Sequence, residues 1–548
     1  MVTVGELFVE TFAAHGIDRI FCVPGESYLG LLDALHDRKD VDTVVCRHES
    51  GAGFMALTDA RLTGRPGIAC VSRGPGASNA AIAVHTAQQD AVPFILIIGQ
   101  VATQDVRRDS FQEIDYGKMF GSIAKWTAEI TDPELADEVL LRALQTATTG
   151  LPGPVVISVP ENILTSQCSK KAVKPQAPIS AAPSQASIEE FRKILTEAER
   201  PLVIAGSEIS KPGEREKLLR FVESWELPTV VSFRRQDLLP NGHRLYMGDM
   251  GLSNPASQMR VLAEADVIVV LGSRLTDITT QGYTFPQLVR PKQKVVHVHS
   301  DITVIGTHFA SDLSIGCHAI SLIDAIGTPK NSLPDRENWI GQLKSERYKI
   351  SAVRQFDVND GVPFELVVDF IGRHMDDDAI LTLDAGTFAA PAYRVIEFRP
   401  PQRLLAPISG AMGFGIPAAV AASLRAPERQ VICFVGDGGL LMTGSELAVA
   451  LERELPLKVI VSENQVYGSI LVHQERDYPG RYVGTKFVNP DLELSGRAYN
   501  CTVTRISELS QISTIAGALR APGPQMIIVD SSVKAILPRS HAPIRNTE

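Results

Sequence analysis

Several things are missing from this 548-residue chain, and each absence narrows what it does. Cysteine is sparse: the seven residues are scattered, and no two form a Cys-x-x-Cys pair. An odd, unpatterned set suits a reducing compartment and gives no sign of a metal or redox role. Cys22, Cys46 and Cys70 stand in apolar, strand-like runs and read as small buried hydrophobes. No apolar run reaches the roughly 18 residues of a membrane span, so no membrane association is expected. Residues 1–20 carry Glu6, Glu10 and Asp18 and lack a cationic leader, so a cytoplasmic protein without a signal peptide is expected. Basic charge is short as well: 53 Lys and Arg against 63 Asp and Glu leave a net charge of −10, which argues against a nucleic-acid partner. A Gly-x-Gly-x-x-Gly run after a first strand is also absent, which counts against a nucleotide-dependent oxidoreductase.

What is present is an ordinary globular composition in a chain too long for one core, so about three domains are expected. In the first, 1–165, helical periods at Val4–His15, Tyr28–His36, 50–63 and Gly76–Gln88 alternate with apolar runs at Ile17–Val23, Val41–Cys46, Gly67–Val71 and Pro93–Ile98. That alternation predicts a doubly wound parallel sheet, the α/β class. Residues 165–187, rich in Pro, Ser and Ala, read as a linker. A second α/β unit, 188–325, has strands expected at Pro201–Ala205, Pro228–Ser232, Val267–Leu271 and Val295–His299. A third, 355–540, follows a polar stretch around Thr328–Glu337, and Ser540–Glu548 reads as a loose tail.

The densest information lies between residues 431 and 464. An apolar strand, Val431–Val435, ends in Gly436-Asp437-Gly438-Gly439. A helix of about Thr443 to Glu454 is expected next, then a strand, Leu457 to Val461, leading to Asn464. An Asp and an Asn, 464 − 437 = 27 residues apart, thus leave the carboxyl ends of two parallel strands, where ligand clefts of α/β proteins form. Glycine N–H groups at a helix start suit a diphosphate. A carboxylate, an amide oxygen and phosphate oxygens suit Mg²⁺.

This pattern resembles the cofactor motif of thiamine-diphosphate enzymes, GDG followed by about two dozen residues and NN. Other stretches resemble that family too. Arg47-His48-Glu49-Ser50-Gly51-Ala52 is similar to its RHE-x-x-A, which implies that Glu49 hydrogen-bonds the coenzyme's pyrimidine ring and serves catalysis. Ser409–Ala418, SGAMGFGIPA, is similar to G-x-M-G-F-G-x-P. There the resemblance implies that the Gly410 carbonyl accepts from the pyrimidine amino group and that Met412 is a wedge under the bent coenzyme. Asp384-Ala385-Gly386-Thr387-Phe388 is similar to a diphosphate loop, with Gly386, Thr387 and Phe388 as backbone contacts. The resemblance further implies Asp437, Asn464 and the Val466 carbonyl as metal ligands, and Gly438 and Gly439 as diphosphate donors. Tyr467, Gly468, Ser469 and Ile470 would complete the coenzyme contacts.

Within the family, the chain looks like the acetolactate synthase branch. Ser72–Asn79, SRGPGASN, resembles SGPGATN; Asp109–Glu113 resembles DAFQE, which places Phe111 and Gln112 at the active site; Leu151–Pro160 resembles the end of the first domain. The resemblance implies Mg²⁺- and thiamine-diphosphate-dependent decarboxylation of a 2-oxoacid with carboligation. It implies a homodimer or homotetramer whose active sites are shared between the first domain of one subunit and the third of another. Four departures matter. Glu26 stands where acetolactate synthases have Gly and simple decarboxylases an acidic residue, and in a poorly solvated cleft it is expected to act as an acid. His473 stands in place of a substrate-selecting Trp, and Glu463 in place of the motif's first Asn. Ala205-Gly206-Ser207 and Arg274-Leu275-Thr276-Asp277-Ile278 are weak versions of the family's FAD-binding features, so FAD is a doubtful cofactor. The alternatives are a 2-oxoacid decarboxylase releasing an aldehyde, favoured by Glu26 and the missing Trp, and an inactive thiamine-binding relative, which intact Glu49, Met412, Asp437 and Asn464 oppose.

Overall fold

The four apolar runs of the first 165 residues become strands of a six-stranded parallel sheet, with two more that were not expected, in the computed structural model, which describes residues 1–176, 181–211, 213–252 and 254–537. Its strands are β1 (Arg19–Cys22), β2 (Asp42–Val45), β3 (Gly67–Val71), β4 (Phe94–Gln100), β5 (Trp126–Glu129) and β6 (Pro154–Pro160), in the order β2-β1-β3-β4-β6-β5. Strands β3, β4 and β6 are buried throughout, as expected where helices cover both faces. Chain order reverses between β1 and β3, so the ligand crevice of this sheet lies at their carboxyl ends.

Small residues set how tightly the covering helices pack. Helix Glu49–Thr63 starts from an extended His48, whose ring accepts from Ser50 N, and stops at Gly64 with φ +72°. A Cβ on Gly53 would lie 2.2 Å from Ala83 Cβ, and one on Gly67 would lie 2.0 Å from the Ala56 carbonyl oxygen. This helix is therefore pressed against both helix Gly74–Asp90 and strand β3, which fixes where its first residue, Glu49, stands.

The stretch 165–187 is not all linker. Gln167–Cys168 pairs antiparallel with Val2–Thr3, and Ser184 caps a helix, Gln185–Glu197. A two-residue strand carries no periodicity, so the sequence does not announce it.

The second sheet contains β7 (Pro201–Ala205), β8 (Thr229–Ser232), β9 (Tyr246–Met250), β10 (Val267–Leu271), β11 (Lys294–Val298) and β12 (Leu313–Ile315), all parallel, in the order β9-β8-β7-β10-β11-β12. The two strands not anticipated, β9 and β12, are the edges, where polar residues interrupt the apolar run. Arg336, 1% exposed, ties this region together: its guanidinium donates to the carbonyls of Leu195 (2.6 Å), Ala198 (2.8 Å) and Trp225 (2.5 Å). Those are last-turn carbonyls that the helices leave without partners.

The chain divides into two compact units, 1–351 with 397–411, and 352–396 with 412–548. Both sheets above belong to the first. Residues 397–411 join it through Phe398, whose N–H donates to Asn241 Oδ1 at 3.1 Å, and Ser409, whose N–H donates to Asp90 at 3.1 Å. In the second unit five strands, β13 (Ile380–Leu383), β14 (Val431–Gly436), β15 (Lys458–Glu463), β16 (Thr502–Ile506) and β17 (Gln525–Asp530), run parallel in the order β13-β14-β15-β17-β16. The helix expected at Thr443 to Glu454 instead starts at Asp437, breaks into a 3₁₀ turn at Gly444–Glu446 and resumes over Leu447–Glu452. Gly438 and Gly439 form its first turn, and Gly436 is its N-cap. The tail reading for Ser540–Glu548 falls outside the described residues.

Candidate active site

In the second unit, Asp437 leaves β14 and Asn464 leaves β15, neighbours paired at Gly436 and Ser462. Asp437 is 2% exposed. One carboxylate oxygen accepts from Gly438 N at 2.9 Å; the other accepts from Asn464 N at 3.0 Å, Gln465 N at 2.6 Å and Asn489 Nδ2 at 3.1 Å. The carboxylate thus clamps the two strand ends at a helix N-terminus, where its charge is favoured. Asn464 Oδ1 accepts from Val466 N at 3.2 Å, which turns the chain over residues 464–466. Asn489 donates to Glu463 at 3.0 Å as well, while its own Oδ1 is buried without a hydrogen-bond partner. A buried oxygen left unsatisfied beside a carboxylate suits a hydrated cation.

Around this pair the unit gathers the other expected coenzyme residues. A Cβ on Gly438 would meet the Tyr467 ring at 2.8 Å and the Met412 methyl at 3.5 Å. One on Gly439 would meet the Asp384 carboxylate at 3.0 Å, and one on Gly468 would meet Thr387 Oγ1 at 2.6 Å. Only glycine permits these approaches, so the glycine-rich turn, the 386–388 loop, Met412 and the start of helix Gly468–Asp477, with Ser469 and Ile470, come together. Phe388 is different: its ring is buried against Phe364 at a centroid distance of 6.1 Å, so its side chain belongs to the core. His473 is exposed on the helix that follows.

Two residues that the sequence reading did not single out hold this arrangement. Asp384 is fully buried, and its carboxylate accepts from Ala385 N at 2.7 Å, Gly413 N at 3.0 Å and Gly415 N at 2.9 Å. Those bonds anchor the loop that carries Met412. The other is Asn489, described above. A buried strand-end Asp is a weak signal in sequence, and Asn489 lies 489 − 464 = 25 residues beyond Asn464 with nothing to mark it. Glu463, where the family motif has Asn, is neutralised by Arg505 at 2.9 Å.

The first unit places Glu26, Glu49 and Gln112 at the carboxyl ends of its sheet. Glu49, half-buried, is the first residue of its helix, and its carboxylate accepts from Asn79 Nδ2 at 2.9 Å. A Cβ on Gly76 would meet the Glu49 Oε1 at 3.3 Å, so this glycine leaves room for the carboxylate. The Gln112 carbonyl accepts from Gly74 N at 2.9 Å, from a loop in which Arg107, Asp109 and Gln112 are all left-handed. Three such non-glycine residues in six positions are a conformational cost that function commonly explains. Phe111 projects from the same loop, 76% exposed. Glu26 opens a short 3₁₀ turn with its side chain 72% exposed and paired with Arg73 at 3.0 Å, so its own chain does not supply the poorly solvated cleft expected for it. Gly410, with φ +71° and no atom within 4 Å of a would-be Cβ, also belongs to this unit.

A cavity of about 770 Å³ lies elsewhere in the first unit, between the first and second sheets, lined among others by Arg61, Arg215, Glu208 and His299. None of the expected thiamine-coenzyme residues line it, whereas Ser207 of the weak flavin feature does. Among the described residues no helix is long and apolar enough to cross a membrane.

Comparison with known proteins bears on the whole length. Residues 2–119 match the N-terminal TPP binding domain of thiamine pyrophosphate enzymes, 188–326 the central domain and 384–529 the C-terminal TPP binding domain. The acetolactate synthase large subunit of Lactococcus lactis subsp. lactis is 28% identical over 550 residues, which cover 99% of this chain and 95% of that protein. The isozyme 1 large subunit of Escherichia coli K12 is 32% identical over 480 residues, 86% of this chain and 83% of that protein. A probable acetolactate synthase large subunit of Methanocaldococcus jannaschii is 28% identical over 523 residues, 92% of this chain and 88% of that protein. A likeness this continuous, over strand ends that carry the coenzyme motifs, means that the chain belongs to the thiamine pyrophosphate enzyme family and is a thiamine-diphosphate-dependent, acetolactate synthase-like enzyme.

Proposed function

We propose that the enzyme decarboxylates a 2-oxoacid and joins the product to a second carbonyl compound, with Mg²⁺ as the coenzyme's tether. The observation that carries this reading is the Asp437–Asn464 clamp at adjacent strand ends, with Asn489 Oδ1 unsatisfied beside it. Asp437, Asn464 and the Val466 carbonyl would hold the metal, Gly438 and Gly439 the diphosphate, and Glu49 the pyrimidine ring. When bound, thiamine diphosphate supplies a carbon nucleophile that adds to the 2-oxoacid carbonyl and accepts the electron pair released with CO₂. The protein's part is orientation and proton handling. Glu49, held by Asn79 and given room by Gly76, would hydrogen-bond the pyrimidine ring. Asp384 fixes the Met412 loop, and the Met412 methyl over Gly438 restricts what shape can lie there.

Relatives named acetolactate synthase favour carboligation. Glu26 and the exposed His473 favour release of an aldehyde, the second reading. The family's flavin is a doubtful cofactor in this reading. At the carboxyl end of the second sheet, Glu208 accepts from Ser300 N at 2.8 Å and Ala319 N at 3.0 Å, so these strand-end and helix-start N–H groups already have a carboxylate partner. Gly206 N and Glu208 N are also spent, on the carbonyls of Leu271 and Gly272. No flavin step is invoked.

Three domains, 1–165, 188–325 and 355–540, and a homodimer or homotetramer with active sites shared between subunits belong to the same reading. So does a cytoplasmic location, supported by seven buried free cysteines. The test is a panel of 2-oxoacids with thiamine diphosphate and Mg²⁺, scored for CO₂ and product identity. Acetolactate-type products are expected; aldehyde alone selects the second reading, and no CO₂ from any member sinks both.

A further inference from the structure

One charged cluster of the first sheet is explained neither by the coenzyme motifs nor by the relatives. We infer that Arg73 is the positioning residue for Glu26, holding that carboxylate in one orientation at the crevice between β1 and β3; the inference rests on the 2-oxoacid reading above.

Arg73 occupies the turn between β3 and helix Gly74–Asp90. Its side chain is 10% exposed, and its Nη2 donates to Glu26 Oε1 at 3.0 Å and to Glu161 Oε2 at 3.4 Å. An ion pair between two exposed side chains would carry little meaning. Here the backbone on both sides is locked. A Cβ on Gly25 would lie 2.6 Å from Ser72 Cβ, and the hydroxyls of Ser27 and Ser72 are 3.3 Å apart. The loops after β1 and β3 therefore meet at contact distance, one residue from each member of the pair. Glu161, at the start of the short helix Glu161–Leu164 after β6, holds the guanidinium from a third strand end.

Position matters for Glu26 more than for a structural carboxylate. Its turn is exposed, and among the described residues Arg73 is the hydrogen-bond partner that chooses the glutamate's rotamer. A group that moves protons works only within hydrogen-bond reach of the reacting atoms. The loop that carries Arg73 also receives Glu49 at Gly76 and bonds Gln112 at Gly74. Glu26, Glu49 and Gln112 are thus referenced to one five-residue segment, 72–76, and Arg73 is the link for the first.

The test uses the full-length enzyme with thiamine diphosphate and Mg²⁺ and compares Arg73→Ala, Arg73→Lys, Glu26→Gln and the Arg73→Ala/Glu26→Gln double variant. CO₂ release, the ratio of joined product to aldehyde, and urea unfolding are measured for each. Arg73→Ala is expected to lower kcat about tenfold or more with KM changed by less than about threefold, and to shift the product ratio. Arg73→Lys should recover most of the loss. In the Glu26→Gln background, Arg73→Ala should cost less than about twofold, because its effect passes through Glu26. An equal loss in both backgrounds overturns the inference, as does a rise in KM alone, or coupling that appears in unfolding but not in kcat. Should Arg73→Ala fail to fold, Arg73→Gln with and without Glu26→Gln decides by the same criteria. A wild-type enzyme that releases no CO₂ from any 2-oxoacid is distinguished before variants are compared, and it removes the underlying reading and this inference together.

Discussion

At the scale of single residues, charge buried at strand ends does most of the organising. Asp384 spends one carboxylate on three backbone N–H groups, and two of them, Gly413 and Gly415, belong to the loop that carries Met412. Asparagine in its place keeps one acceptor and loses the charge. Asp384→Asn is therefore expected to destabilise the protein by about 1–3 kcal/mol in urea unfolding and to weaken coenzyme binding in calorimetry. Glu49→Gln should leave the fold intact, since the helix retains its His48 cap, and lower CO₂ release by about a hundredfold or more. Retained activity in Glu49→Gln would remove Glu49 from proton handling. Glu49, Asp437 and Asn464 were legible in the sequence because their motifs sit at fixed offsets. Asp384's anchoring role and Asn489 were not, because what they touch is distant along the chain.

Elements show a second level of control. Helix Glu49–Thr63 presents Glu49 where it does because Gly53 lets it approach Ala83 of the neighbouring helix and Gly67 lets β3 approach Ala56. Adding one methyl at Gly53 puts it 2.2 Å from Ala83 Cβ, so the helices separate. Gly53→Ala is expected to cost about 1–3 kcal/mol by urea unfolding and to reduce activity more than stability alone accounts for, since Glu49 moves with its helix. Activity unchanged at equal folded fraction would show that the approach serves packing only. In the second sheet the interior strands were readable from continuous apolar runs, whereas the edge strands β9 and β12 were not. The helix after β14 begins 443 − 437 = 6 residues before the expected Thr443, because glycine's low helix propensity is overridden where its N–H groups face a helix terminus with a carboxylate on it.

At the scale of the whole molecule, stability and assembly respond to conditions. His297, 2% exposed on β11, donates Nε2–H to the Ser273 carbonyl at 2.9 Å, and burial pushes its pKa from 6.5 down to about 4. Between those values the unfolded chain binds a proton that the folded chain refuses. Stability therefore falls as pH drops through about 6.5 to about 4, by up to about 3 kcal/mol, and the effect vanishes above that window. Unfolding midpoints in urea across this range should show the slope, and His297→Gln should flatten it. Assembly is tested by mixing subunits: Glu49→Ala and Asp437→Ala chains, each inactive alone, should regain activity together if one coenzyme is shared between two chains. No recovery in mixed oligomers would count against shared sites.

The sequence by itself determined the α/β class and the coenzyme and nominated residues to touch it, because strand periodicity and fixed-offset motifs are local properties of the chain. Tertiary structure alone decided which groups hold those residues in place. Arg73 reaches Glu26 across 73 − 26 = 47 residues, and Asn489 reaches Asp437 across 489 − 437 = 52. Such pairings depend on which strand ends a parallel sheet sets side by side, and strand order is a property of the folded sheet that no single segment encodes.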